Sequence, residues 1–462
     1  PHLRDGALLR APTRDGGLAL AFAHKVAREV GELGANVRDL RGKLIADALY
    51  RALVALPAAR VQVLAHTRWA SNGIISEPNC HPVANDLPDR ALEQIVLGVL
   101  NGDVDNYVAL APTWPIPPEC TTDAKVIPLE FMRQVQSAAR NGAGPDIGRA
   151  FVKAVSGFSG STAIAALCSD APDRVHLALR GSGQAIYVGV TDEGGFLFAS
   201  ELYGVVEAAP RFYKLEGEPG EVVRLRRDLA QDPDAQSALT RLERVGYDGA
   251  ARPLDPKKLK PAPIATRDID RAGHTHFFAK EIAQAPGSVE KTLRGKFVVA
   301  NGSSPARFLL GDDVVPAAVR KALAERTLRR VYVIGQGTAA VAGQAAAETM
   351  AALLRPAGID VRALPASELS GFYLAGLGPD TLIVAVSQSG TTTDTNRTVD
   401  MAREHGAHVI AIVNRRGSDL ADKSHGVLYT SDGRDVEMSV ASTKAFYCQV
   451  MAGYLLALQL AE

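Results

Sequence analysis

The apolar positions of this chain follow one rhythm in its first half and another in its last third. Short apolar runs come first: Ser161–Cys168, Arg174–Arg180, Ala185–Val190, Phe196–Ser200 and Glu221–Leu225, divided by Gly, Asp and Pro. That spacing predicts antiparallel hairpins. Upstream, Leu18–Phe22, Arg60–Ala65 and Gln94–Leu100 read as strands, while Asp39–Leu56, Lys125–Arg140 and Ile147–Val155 carry apolar residues at helical intervals. Layered antiparallel sheets with helices packed on them are the expectation. From Arg329 the pattern alternates strictly. Strands at Arg330–Ile334, Val361–Leu364, Thr381–Ser387, His408–Asn414 and Gly426–Thr430 are interleaved with helices at Ala339–Leu354, Thr395–His405, near Asp419 and at Ala441–Leu460. Such alternation predicts a doubly wound parallel sheet with helices on both faces. In between, Asp228–Val245 could form a charged helix, and the Pro-, Lys- and Asp-rich stretch Ala251–Ile269 reads as a linker. The expected organisation is therefore residues 1–250, a linker at 251–272, and residues 273–462.

The most informative stretch lies at one strand-to-helix turn. Leu382-Ile383-Val384-Ala385-Val386 runs directly into Ser387-Gln388-Ser389-Gly390-Thr391-Thr392-Thr393-Asp394. An apolar run this short suits a parallel strand buried on both faces. The turn after it would sit at the carboxyl edge of the sheet, where open α/β folds bind ligands. A helix start also offers backbone N–H groups and the positive end of a dipole, which favour an anion such as phosphate. Single Ser or Thr residues at such a place are often only N-caps. Here the whole stretch is polar or hydroxylic apart from Gly390, which exceeds what one cap requires.

Composition narrows the classes. Lys plus Arg equals Asp plus Glu at 51 each, so no bulk field points to nucleic acid or to a membrane surface. The four cysteines, Cys80, Cys120, Cys168 and Cys448, lie far apart without metal-ligand spacing, and they read as reduced thiols of a cytoplasmic protein. No metal and no cofactor is implied. No uncharged apolar run reaches the length of a membrane span.

Two separate sets of motifs then point the same way. Gly335-Gln336-Gly337-Thr338, Ser387-Gln388-Ser389-Gly390-x-Thr392-x-Asp394-Thr395 and Glu437-x-x-Val440-Ala441-Ser442-Thr443-Lys444 resemble the sugar isomerase (SIS) module of the glutamine–fructose-6-phosphate aminotransferase family, with Lys280-Glu281-Ile282 resembling its first helix. His66-Thr67-Arg68-Trp69-Ala70, Ser76-Glu77-x-Asn79-x-His81-Pro82, Asn101-Gly102 and Thr122-Asp123 resemble the class II glutaminase domain of that family. The resemblance implies an N-terminal α+β domain of layered antiparallel sheets, of the N-terminal-nucleophile type, followed by the parallel-sheet SIS domain. It also implies an oxyanion pair at Asn101 and Gly102, and a glutamine site at Arg68, Trp69, Ser71 and Asp123. Arg68 would clasp the substrate carboxylate as a fork and Asp123 would meet its ammonium. A sugar phosphate would be held by Gly337, Thr338, Ser387, Gln388, Ser389, Thr392, Val440 and Ser442.

The chain departs from the family pattern at several points. It opens on Pro1, whereas a class II glutaminase uses an N-terminal Cys as nucleophile; a longer protein beginning Met-Cys-Gly is the expectation. Cys80 reads as a small core-type residue. Ser71-Asn72 stands where the family has Thr-His, Ala339 stands in place of a Ser, and one SIS module is present where the family carries two. The partners expected are glutamine, a sugar phosphate and a second copy of the chain. The expected function is release of ammonia from glutamine and its delivery to a ketose phosphate. The competing reading is a regulatory SIS protein that binds sugar phosphate without glutaminase activity. A third reading, Gly335-x-Gly337-x-x-Ala340 as a dinucleotide fingerprint, lacks its acid at the right place: Asp360 precedes the second strand and Glu368 follows it.

Overall fold

The computed structural model describes residues 8–13, 16–27, 34–68, 73–88, 91–140, 146–227, 240–262, 264, 269–300, 306–439 and 442–462. The chain divides into two compact units, Pro1–Ala262 and Pro263–Glu462.

In the first unit, β1 (Leu8–Pro12) and β2 (Leu18–Phe22) form a hairpin, followed by α1 (Ala35–Ala46) and α2 (Ala48–Val54). Asp47 divides these helices by capping α2 through Tyr50 N–H, where the sequence predicted one helix. Next come β3 (Val83–Ala84), β4 (Val96–Gly102), the short α3 (Tyr107–Leu110), α4 (Val126–Arg140) and α5 (Ile147–Ser156). The remaining strands are β5 (Thr162–Cys168), β6 (Arg174–Arg180), β7 (Tyr187–Val190), β8 (Phe196–Ala199), β9 (Arg211–Lys214), β10 (Glu221–Arg226), β11 (Leu242–Val245) and β12 (Lys260–Pro261). They build two antiparallel sheets, ordered β11-β10-β6-β5-β4-β3 and β12-β9-β7-β8.

Period-two alternation decides the layering. Val96, Leu100, Ile164, Ala166, Ala178 and Val222 face Phe131 of α4 and Phe151 of α5. Their neighbours Val99, Ala163, Ala165, Leu177, Leu179 and Val223 form a second core with Ile186, Val188 and Tyr213 of the smaller sheet. The unit is thus helices on sheet on sheet.

Three expectations fail here for physical reasons. Arg60–Ala65 makes no ladder: Leu64 packs against the second core and the Gln62 side chain holds the Arg174 carbonyl, but Val61 and Val63 are 43% and 74% exposed and the segment runs as extended chain. The charged helix expected over Asp228–Val245 lies partly outside the described residues, and its end is strand β11, whose Arg244 is buried against Glu221. The expected linker is ordered in its first half: Ala251 bridges Val245, Leu259 is buried, and β12 pairs with β9.

The second unit opens with α6 (Phe277–Leu293), the small ladder β13 (Phe297–Val298) and β14 (Arg307–Phe308), and α7 (Ala317–Ala324). It continues with β15 (Arg330–Gly335), α8 (Thr338–Leu354), β16 (Asp360–Pro365), β17 (Thr381–Ser387), α9 (Thr393–Glu404), β18 (His408–Val413), α10 (Asp419–Lys423), β19 (Gly426–Tyr429) and α11 (Lys444–Ala461). The sheet order is β16-β15-β17-β18-β19 and every pair is parallel. One sheet face buries Val333, Val384 and Ile412 under α7, α8 and α11; the other buries Ile383, Ala385 and Ala411 under α9 and α10. After β15 the chain winds outward to β16, then returns to β17 on the opposite side. That reversal opens a crevice between the carboxyl ends of β15 and β17, the topological switch point.

Candidate functional site

The switch point of the second unit receives two of the motifs. At the end of β15, Gly337 precedes α8 with φ 55° and ψ −130°, a conformation reserved for glycine, and no side chain caps the helix there. Thr338 begins α8 and is exposed. At the end of β17, Ser387 is 2% exposed and its Oγ accepts the N–H of Gly390 at 3.0 Å; Thr392 Oγ1 lies 3.4 Å from the same oxygen. Ser389 Oγ accepts from Thr391 N at 3.2 Å and from Thr391 Oγ1 at 2.9 Å. Thr392 occupies the N-cap position of α9, yet its side chain makes no cap hydrogen bond. The hydroxyls therefore gather on one another and not on the helix end, so simple capping does not account for them.

Three further contacts shape the turn. Gly390 has φ 68°, and a Cβ there would stand 2.1 Å from Ser418 Oγ. Its carbonyl accepts from Leu420 N at 3.0 Å and from Asn396 Nδ2 at 3.2 Å; Asn396 Nδ2 also reaches the Thr392 carbonyl at 3.0 Å. Gln336 Nε2 crosses the crevice to Asp394 Oδ2 and to Ser367 Oγ, both at 3.1 Å. Gln388 is half-buried and its carbonyl accepts from Asn414 N at 3.2 Å. Ser442 Oγ is enclosed with no hydrogen-bond partner among the described residues, and Val440 lies outside them.

In the first unit, four segments meet around β4. Asn79 is fully buried, and its Oδ1 accepts from Thr121 N at 2.8 Å and Thr122 N at 2.9 Å. The His81 ring lies 4.6 Å from that of His66, tilted by 58°; it accepts from Leu100 N at 3.5 Å and lies 3.3 Å from Thr122 Oγ1. Burial holds both imidazoles far below their ordinary range, to about 4 for His66 and about 3 for His81, with the Arg68 charge acting the same way. Asp123 is 4% exposed, and its Oδ2 accepts from Val104 N at 2.8 Å; burial pushes its carboxyl upward. Asn101 and Gly102 form the last two residues of β4, paired with Ala163 and Thr162, so they are neither a turn nor a loop. Gly102 has φ 101°, and a Cβ would stand 2.0 Å from the Ser161 carbonyl, which excludes any side chain. Arg68 is half-buried; Trp69 and Ser71 lie outside the described residues. His81 and Asp123 thus each touch the backbone beside Asn101 and Gly102, at Leu100 and Val104, and the Arg68 charge is felt at both imidazoles.

Cys80 donates to the Val26 carbonyl at 3.7 Å and Cys120 to the Pro78 carbonyl at 3.6 Å. Burial pushes both thiols upward, away from the thiolate. Among the described residues no group of three or more His, Cys, Asp or Glu is placed to hold a metal, and no helix is long and apolar enough to cross a membrane.

Sequence reasoning passed over Asn396, Asn414 and the Gln336–Asp394 bridge. No motif signalled the two asparagines, since a polar residue in a helix start or after a strand is ordinary; only their burial, 0% and 3%, marks them.

Residues 326–459 match the SIS domain family. Over 419 residues the chain is 31% identical to a glutamine–fructose-6-phosphate aminotransferase (isomerizing) of Streptomyces coelicolor, covering 88% of this chain and 59% of that protein. Against the enzyme of the same name from Gloeobacter violaceus it is 31% identical over 440 residues, covering 94% of this chain and 63% of the other. The chain thus spans about three fifths of the length of these curated relatives. The C-terminal domain of glucosamine-fructose-6-phosphate aminotransferase from Francisella tularensis is 26% identical over 42% of this chain and 49% of its own, with a TM-score of 0.34.

Proposed function

We propose that this chain, whose residues 326–459 match the SIS domain family and which is similar over most of its length to glutamine–fructose-6-phosphate aminotransferases, binds a ketose phosphate such as fructose 6-phosphate at the switch-point crevice of its second unit. One observation carries this reading: Ser387, Ser389 and Thr392 cluster at the start of α9 without capping it. A phosphate there would accept hydroxyl and N–H hydrogen bonds together with the favourable end of the helix dipole. Gln388, Gly337, Thr338, Val440 and Ser442 complete the proposed site.

We further propose that the first unit is a class II glutaminase domain of the N-terminal-nucleophile type. Arg68, with Trp69 and Ser71, would clasp the carboxylate of glutamine. Asp123 would hold the ammonium with the oxygen left over from Val104. Asn101 Nδ2 and Gly102 N–H would stabilise the oxyanion that forms as a nucleophile adds to the amide. Ammonia released there would aminate the ketose phosphate and give an amino sugar phosphate. Self-association of the SIS units belongs to the same proposal. A second reading, sugar-phosphate binding without glutaminase activity, draws on Cys80 and Cys120, both hydrogen-bonded and held as thiols.

The test of the sugar-phosphate site is calorimetry with fructose 6-phosphate and with unphosphorylated fructose. A hydrogen bond to a charged group contributes roughly 1.5–3 kcal/mol. Ser389→Ala or Thr392→Val should weaken fructose 6-phosphate binding by about 10- to 100-fold. Equal binding of the two sugars, or variants that unfold while keeping their affinity per folded molecule, would overturn the phosphate reading.

A further inference from the structure

Asn79, in the first unit, is 0% exposed and belongs to none of the groups assigned to glutamine. Its side-chain amide fits its surroundings in one orientation only. The N–H groups of Thr121 and Thr122 stand 2.8 and 2.9 Å from one end, which must be the oxygen. The Ile74 carbonyl stands 3.1 Å from the other end, which must be the nitrogen, with Ser76 Oγ at 3.0 Å and Thr121 Oγ1 at 3.2 Å. One side chain thus joins residues 74–79 to a segment 42 positions further along. Gly73 lies against the same segment, since a Cβ there would stand 2.7 Å from Thr121 Oγ1 and 3.3 Å from Thr122 N.

The next residue after that joint is Asp123. Thr122 precedes the short turn Asp123–Lys125, which runs directly into α4, and its side chain makes no cap hydrogen bond there. On the α4 side the chain is anchored by Val126, Ile127 and Leu129, all buried in the first core. On the other side residues 115–122 join no helix and no strand, so no ladder fixes how the chain approaches Asp123. The Asn79 oxygen supplies that fix. Two backbone N–H groups that lose a buried acceptor must find others, and moving toward them carries Asp123 along.

We propose that Asn79 is a positioning residue of the glutamine site: by fixing Thr121 and Thr122 it sets the Asp123 carboxylate where the substrate ammonium meets it. This rests on the glutaminase reading above. The other ends of glutamine are assigned elsewhere, the carboxylate to Arg68 and the amide to Asn101 and Gly102. Asn79 therefore acts on recognition of the α-ammonium and leaves the rest of the ligand alone. A residue that only stabilised the fold would make no such distinction.

The experiment compares L-glutamine with glutaramic acid, which is glutamine without its α-ammonium. Calorimetry on the full chain gives the affinity of each per folded molecule, for wild type, Asn79→Ala, Asp123→Asn and the double variant. Wild type should prefer glutamine by about 10- to 100-fold, the factor that one hydrogen bond to a charged group supplies. Asn79→Ala should remove most of that preference and leave glutaramic acid within about twofold of wild type. In the double variant the preference should fall no further than in Asp123→Asn alone, because both changes act on one carboxylate. Should Asn79→Ala not fold, Ser76→Ala combined with Thr121→Val removes two of the three groups that meet Asn79 Nδ2. The preference should then fall about threefold, and no fall overturns the inference. A preference in Asn79→Ala within about twofold of wild type overturns it while the glutaminase reading stands. An equal loss for both ligands also overturns it, leaving Asn79 a residue of the fold alone. A wild-type chain that binds glutamine without preferring it to glutaramic acid overturns the role of Asp123, and this inference with it. One that binds neither ligand removes the glutaminase reading as a whole.

Discussion

Replacing Gly390 by alanine tests how tightly the hydroxyl turn is specified. The glycine sits at φ 68°, where an L side chain costs roughly 1–2 kcal/mol. Its added Cβ would also stand 2.1 Å from Ser418 Oγ, 2.5 Å from Ser418 Cβ and 2.9 Å from Val413 Cγ2. Ser418 is 1% exposed and opens the short helix α10, so it has little room to retreat. Overpacking of this kind costs about 1–3 kcal/mol. The total expected for Gly390→Ala is therefore about 2–5 kcal/mol, read from urea midpoints at constant m. Ser418→Gly removes the two closest atoms and leaves the Val413 contact and the backbone strain. In a double-mutant cycle it should recover most of the overlap part, up to about 1–3 kcal/mol, and no more. A Gly390→Ala loss below about 0.5 kcal/mol, the level of an unremarkable surface substitution, would refute the reasoning. So would a cycle with no coupling.

Asp123→Asn should raise the KM for glutamine by more than tenfold with a smaller change in kcat, measured in a coupled glutamate assay; a KM within about threefold would make Asp123 only the acceptor for Val104 N–H. His176 is fully buried against Phe131 and Phe151, and burial holds it down to about 3, so the folded state favours the neutral ring. Its contribution is fully present above the unfolded value of about 6.5 and is lost as pH falls toward 3, by up to about 1.4 kcal/mol per pH unit. His176→Phe should flatten that acid limb in urea midpoints taken at pH 7, 5 and 4. Glu221, 0% exposed, accepts from Tyr213 Oη at 2.6 Å, Arg244 Nε at 2.9 Å and Arg244 Nη2 at 2.6 Å. Glu221→Gln should cost about 3–5 kcal/mol by leaving the Arg244 charge buried, whereas Glu221→Leu with Arg244→Met should cost far less on denaturation.

The sequence made the second unit legible because both periods there are driven by burial. Every strand of the parallel sheet was anticipated within a few residues, since runs such as Thr381–Ser387 are fully buried and cannot be anything else. Two kinds of feature stayed hidden. Where alternation packs one face but finds no neighbouring strand to pair with, as at Val61, Val63 and Leu64, it predicts a strand that does not form. Where charge is buried by pairing, as at Arg244, the composition suggests a solvated helix and the chain makes β11. At the candidate sites the motifs marked positions such as Ser387 and Asn101-Gly102. Their surroundings, Asn396 and Asn414, are marked only by burial and by the carbonyls that their side chains hold. Asn414 shows the limit best, because it is tied to the Gln388 and Asp435 carbonyls, which no local pattern connects to it.

The winding that opens the crevice also sets when it can form. Strands β18 and β19 come into register from Ile410 to Gly426, whereas β15 and β17 must join Arg330 to Thr381, a closure about threefold longer. Closure entropy grows as the logarithm of that length, which puts the second pairing about 1 kcal/mol behind the first. The pair that frames the switch-point crevice is thus the costliest of the sheet to zip. On closure cost alone, β17, β18 and β19 would come together before β15 joins them, without the proposed ligand site. Sugar phosphate would have nothing to grip until β15 docks, so it should slow unfolding while leaving the folding rate unchanged.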